Sequence, residues 1–114
     1  MSDSSPKPPA DEHRAAAEEA IERIRENIDQ VDTVLVKLLN QRAQWALEIG
    51  DAKKDVGIAI YQPGREKKVL GAVQDKNQGP MGHDALQRLW ERIMDESRRL
   101  ERVGDGADEG GEQE

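Results

Sequence analysis

One apolar repeat constrains this chain more than any other feature. From Ile21 it steps through Ile24, Ile28, Val31, Leu35 and Leu38, alternating three residues and four. A helix with that stripe presents one narrow apolar seam, and the 3-4 spacing is that of a coiled coil. The next step should land on another apolar residue. It lands on Arg42 instead, and the repeat resumes at Trp45 and Ile49. A guanidinium placed in such a seam either snorkels out to pair with a surface carboxylate or has something to hold there.

The seam belongs to a helix predicted over residues 12–54, with Asp11 as its N-cap. Such a helix is roughly 60 Å long, and the seam from Ile21 to Ile49 extends for about 42 Å. "DVGIAIYQ" reads as a connection with a short apolar patch of Ile58, Ile60 and Tyr61. Pro63 suits the first position of a second helix. That helix runs to about residue 76, with Val69, Leu70 and Val73 inward. "NQGPMG" is a loop. A third helix starts at His83 or Asp84 and runs to Val103. Its stripe is Leu86, Trp90, Ile93, Ser97 and Leu100, flanked by Leu89 and Met94. Helices two and three are too short to cover a seam of about 42 Å. The expected fold is therefore all-α: a three-helix chain with one very long N-terminal helix, obligately paired with a second copy around one shared core.

Composition narrows the function. The 114 residues suggest a single domain, here residues 12–103. The flanking stretches 1–11 and 104–114 are rich in Ser, Pro, Gly and acidic residues and should be disordered. The formal charge of −7 argues against nucleic acid and anionic membranes as partners. No apolar run approaches the roughly 20 residues of a membrane span, and the N-terminus shows no apolar secretory core. A cytoplasmic protein is expected. With no Cys, thiolate nucleophiles, disulfides and Cys-ligated metals are excluded.

Several polar residues stand out of place. Gly50 lies mid-helix, where it costs roughly 1 kcal/mol against Ala, so another backbone or a ligand should approach closely there. Lys53 falls three turns beyond Arg42 on a similar face. Ser97 interrupts the third stripe, with Glu101 one turn further on the same face. Arg65 and Glu66 open the second helix, and Arg25 borders the seam. The chain has two histidines, His13 and His83, and neither sits in a metal-binding or Ser-His-Asp spacing. An enzyme built from this inventory would work by positioning and charge stabilisation. Its guanidiniums would suit a substrate with carboxylates.

The stretches "IRENIDQVDTVLVKLLNQRAQWALEIGDAKK", "YQPGREKKVL" and "LWERIMDESRRLE" together resemble the all-helical chorismate mutases. The shared pattern is an Arg before the first acidic turn of the long helix, then "L…L…R" and "IG.AK". A "P.RE" helix start and "I…S…[QE]" follow. The resemblance covers about residues 21–101. It implies an intertwined helical homodimer with two sites shared between chains, and rearrangement of chorismate to prephenate without metal or cofactor.

By position, the resemblance makes Arg25 the arginine that reaches into the partner's site and Arg42 a second carboxylate clamp. Lys53 becomes the donor to the ether oxygen, Arg65 a support for anion binding, and Glu66 the acceptor for the ring hydroxyl. Ser97 becomes a carboxylate contact. Glu101 falls where the family has a second donor to the ether oxygen, often Gln. Gln62 departs from the Asp that many members use to contact the hydroxyl.

Two alternatives share the fold: an isochorismate pyruvate-lyase and a non-catalytic helical dimerisation module. A module selected only for dimerisation would carry Leu or Ile at position 42. The chain as read has no room for a fused dehydratase, dehydrogenase or effector domain, so feedback by Phe or Tyr within it is not expected, and a regulatory partner enzyme of the same pathway stays open.

Overall fold

The computed structural model describes residues 10–104, and all regular structure among them is helical. Three helices follow in order: α1 (Ala10–Val56), α2 (Pro63–Lys76) and α3 (His83–Gly104). The expectations for the tails lie, at 1–9 and 105–114, outside the described residues. Asp11 is not the N-cap. It sits inside the first turn of α1, which starts at Ala10. Ala is the strongest helix former, so the helix extends past the capping residue, and Asp11 still favours the positive end of the helix dipole. No helix among the described residues is long and apolar enough to cross a membrane.

The chain divides into two compact units, residues 1–39 and 40–114. In the first, α1 carries the seam residues Ile21, Ile24, Ile28, Val31, Leu35 and Leu38, all between 44% and 60% exposed. None of the described residues in this unit is buried. A stripe of six large aliphatic side chains left in water forgoes about 1.5–3 kcal/mol for each that could be fully buried. Among the described residues nothing buries that stripe.

The second unit holds the rest of α1 together with α2 and α3. Ala46 and Gly50 of α1, and Met94 and Glu101 of α3, are buried. Gly50 explains the close approach of the two helices. A Cβ at this position would lie 2.7 Å from both the Cα and the carbonyl oxygen of Glu101. Only glycine lets the α3 backbone come so near, and that proximity brings Glu101 alongside Lys53, one turn beyond Gly50 on α1.

The helix ends are set by local chemistry. Gly57 adopts φ +72°, and the Ile58 N–H donates to the Lys53 carbonyl at 3.0 Å. This is the left-handed glycine stop that satisfies orphan carbonyls at a helix C-terminus. Pro63 opens α2, and the Glu66 N–H donates to the Gln62 carbonyl at 3.1 Å. The turn after α2 is held by Asn77, which donates through Nδ2 to the Met81 carbonyl at 2.9 Å and accepts from the Gly79 N–H at 3.0 Å. Gln74 Nε2 donates to the His83 carbonyl at 2.8 Å, tying the end of α2 to the start of α3.

Candidate active site

A cavity of about 370 Å³ opens within the second unit. Its wall on α1 is Arg42, Trp45, Ala46, Ile49 and Lys53. The connection and α2 supply Ile60, Gln62, Arg65, Glu66 and Val69, and α3 supplies Met94, Ser97, Arg98 and Glu101. Apolar residues therefore form much of the lining, and charged groups converge on it from three helices. Seven of the eight residues singled out in the sequence line this one cavity. Arg25 does not. It lies in the first unit, exposed, with a 3.9 Å ion pair to Glu22. An exposed pair of that length holds a side chain weakly.

The helical register explains the convergence on α1. Arg42, Trp45, Ala46, Ile49 and Lys53 repeat at three- and four-residue steps, so they share a face. On α3 the same spacing aligns Met94, Ser97, Arg98 and Glu101. Ser97 Oγ donates to the carbonyl of Ile93 at 3.0 Å, one turn back, and accepts from Arg42 Nη1 at 2.6 Å. The serine thus uses the helix backbone to fix its hydroxyl and presents a lone pair to the guanidinium. Arg42 keeps its remaining donors for other acceptors.

Lys53 and Glu101 form an ion pair at 2.6 Å, with side chains only 15% and 11% exposed. Lys53 Nζ also donates to the carbonyl of Ile60 at 2.9 Å. The ammonium is thereby held by two acceptors and has a third donor left. Glu66, in the first turn of α2, accepts from Arg98. The other arm of Arg98 donates to Asp95, and its guanidinium lies 5.3 Å from the centroid of the Tyr61 ring. Its bond to Glu66 is the main influence raising Arg98 above the ordinary guanidinium range; burial opposes it, and Asp95 adds to the rise. Gln62 Nε2 donates to the Ala59 carbonyl at 3.1 Å, so its amide braces the connection.

The charges lining the cavity are not evenly matched. Four cations line it, Arg42, Lys53, Arg65 and Arg98, against two carboxylates, Glu66 and Glu101. Lys53 is matched by Glu101 and Arg98 by Glu66. Arg42 and Arg65 have no carboxylate partner among the described residues. Burial, and then the charge of Arg65, pull the Arg42 guanidinium below its ordinary range. Two uncompensated positive charges in a partly enclosed, largely apolar cavity favour an anionic over a neutral ligand, in a chain whose formal charge is −7.

The profile of the type II chorismate mutases matches residues 24–102, more than half of the chain. The chain belongs to the type II chorismate mutase family. It is 42% identical over 78 residues to a bifunctional chorismate mutase/prephenate dehydratase of Neisseria gonorrhoeae, covering 68% of this chain and 21% of that protein. It is 32% identical over 56 residues to the chorismate mutase of Methanocaldococcus jannaschii, covering 49% of this chain and 57% of that one. Among solved structures, the form II chorismate mutase of Thermus thermophilus superposes with a TM-score of 0.71 at 29% identity. That match covers 73% of this chain and 94% of the Thermus chain. The chain spans only about a fifth to a quarter of the length of the bifunctional relatives it matches.

Arg98 is the charged residue of this cavity that sequence reasoning missed. It lies in "DESRRLE", a run with charges at five of seven positions, where any one arginine looks like part of a solvated face. Its signal is register. Arg98 falls four residues after the stripe-flanking Met94 and three before Glu101.

Proposed function

We propose that this chain is a cytoplasmic chorismate mutase that works as a homodimer. The observation that carries the reading is the pair of guanidiniums without a carboxylate partner among the described residues, Arg42 and Arg65, beside a largely enclosed Lys53. Chorismate is a dianion, and its rearrangement to prephenate is a concerted, unimolecular shift. No nucleophile or cofactor is required. Negative charge grows on the ether oxygen as its bond to the ring breaks. Catalysis therefore asks for a compact substrate conformer and for hydrogen-bond donors already aimed at that oxygen.

In this reading Arg42, braced by Ser97, engages one substrate carboxylate, with Arg65 adding to the field; Ser97 itself reaches that carboxylate only by turning its proton away from the Ile93 carbonyl. Lys53 donates to the ether oxygen, and Glu66 accepts from the ring hydroxyl. Incubation with chorismate should give loss of its absorbance and formation of prephenate. An enzyme that leaves chorismate intact but releases pyruvate from isochorismate would be a lyase of the same fold instead. Turnover of neither would leave the dimerisation module.

Arg25 completes the site from the partner chain. Support comes from the exposed seam of α1, which needs a cover, and from the exposed arginine beside it. Arg25→Ala and Arg42→Ala should each be inactive as homodimers. Mixed and refolded together, they should recover activity, because each heterodimer holds one intact site while the other carries both lesions. Random reassortment gives about a quarter of parental activity per chain. Heterodimers without activity would refute a shared site.

Glu101 stands where the resemblance places a donor to the ether oxygen, yet its carboxylate accepts from Lys53 at 2.6 Å. An ether oxygen only accepts hydrogen bonds, so a carboxylate there offers it nothing and repels the charge growing on it, whereas a Gln amide donates. Glu101→Gln should therefore raise kcat/KM for chorismate above the parent value, measured side by side. A Gln variant no faster than the parent would show that position 101 does not serve the ether oxygen.

A further inference from the structure

We propose that Arg98 is a positioning residue that holds Glu66 in place to accept from the substrate's ring hydroxyl. The inference rests on the mutase reading above. It starts from the arrangement of one guanidinium among three neighbours on three segments. One arm of Arg98 donates to Glu66 at the start of α2. The other donates to Asp95, one turn back on α3. The ring of Tyr61, in the connection before α2, lies 5.3 Å from the guanidinium carbon.

Each contact has a consequence for Glu66. Asp95 and Tyr61 fix the plane of the guanidinium, so its second arm points to one place only. That arm binds Glu66 through Oε2, which leaves Oε1 as an acceptor. The pair is largely enclosed, with side chains 22% and 23% exposed, so water competes weakly for the carboxylate. Arg98 also supplies the charge that matches Glu66. A lysine at position 98 could supply the charge but not the fork that joins Glu66 to Asp95.

The test compares Arg98→Met and Arg98→Lys with the parent on chorismate and on an analogue whose ring hydroxyl is replaced by hydrogen. Arg98→Met should lower kcat/KM for chorismate roughly tenfold to thirtyfold, and Arg98→Lys should recover part of that loss. On the analogue, which gives Glu66 nothing to accept from, Arg98→Met should change kcat/KM by less than about twofold. In a Glu66→Gln background the same substitution should likewise have almost no effect on chorismate turnover. A role confined to clamping α2 against α3 would slow both substrates equally, and that result would overturn the inference. So would parental activity in Arg98→Met, or loss in Arg98→Lys as complete as in a folded Arg98→Met protein. A parent protein that does not turn over chorismate would overturn the mutase reading itself, a failure plainly different from an active parent whose Arg98 variants behave like it.

Discussion

Replacing Lys53 with alanine should lower kcat at least about a hundredfold, the scale of losing one preorganised donor to a developing oxyanion. The ammonium is fixed before substrate arrives, by the Ile60 carbonyl at 2.9 Å and Glu101 at 2.6 Å. Its remaining donor needs no reorganisation to meet charge that appears only in the transition state. The effect should therefore fall on kcat more than on KM. The substitution also strands Glu101, a residue only 8% exposed, without its cation. Breaking a buried pair from one side costs about 3 kcal/mol or more. The Lys53→Ala protein should therefore unfold at a lower temperature than the parent. Adding Glu101→Gln removes the stranded charge. The double variant should regain much of the lost thermal stability but stay far below parental kcat, because a neutral amide replaces only part of what the ammonium supplies. Near-parental kcat in Lys53→Ala would reject the donor role. A full return of parental activity with stability in the double variant would show that the single substitution had acted through folding.

How far the sequence could be read follows from what each residue type advertises. The apolar stripes of α1 and α3 and the Pro63 start are plain, because helical period and proline geometry are local properties. Gly50 is legible as a close approach because glycine mid-helix has a cost that needs a reason, and the α3 backbone at Glu101 supplies it. Gly57 carries an equally readable stop signal, the left-handed turn that ends α1, but it is masked by a connection that looks uniformly irregular. The cations Arg42 and Lys53 are visible because they break or continue an apolar face. Arg98 is not, because neighbouring charges hide it and its partners lie on other elements.

The pairing within the cavity is also out of the sequence's reach. Which carboxylate matches which cation depends on distances among α1, α2 and α3, and those distances leave Arg42 and Arg65 unmatched. Family resemblance assigns Glu101 a donor's place. The geometry shows it accepting from Lys53, and the Glu101→Gln test grows from that difference.

The interruption of the seam by Arg42 is best tested by completing the seam. Arg42→Leu restores the apolar repeat between Leu38 and Trp45 and removes a guanidinium that burial and Arg65 already disfavour. Ser97 loses one donor but keeps its own bond to the Ile93 carbonyl, so no buried hydroxyl is left unsatisfied. Stability should stay within about 1 kcal/mol of the parent or rise, because a well-placed leucine replaces a partly desolvated charge. Activity should not survive, because a substrate carboxylate would face an alkyl side chain in place of a charge-assisted clamp. The decisive measurement is kcat/KM for chorismate in the parent and in Arg42→Leu, with the thermal midpoint of each recorded on the same preparation. The expected result is a loss of at least about a hundredfold in a folded protein whose stability is within about 1 kcal/mol of the parent's or above it. Parental turnover by Arg42→Leu, or a loss of activity that merely follows a loss of folding, would contradict the conclusion that the guanidinium is there to hold substrate.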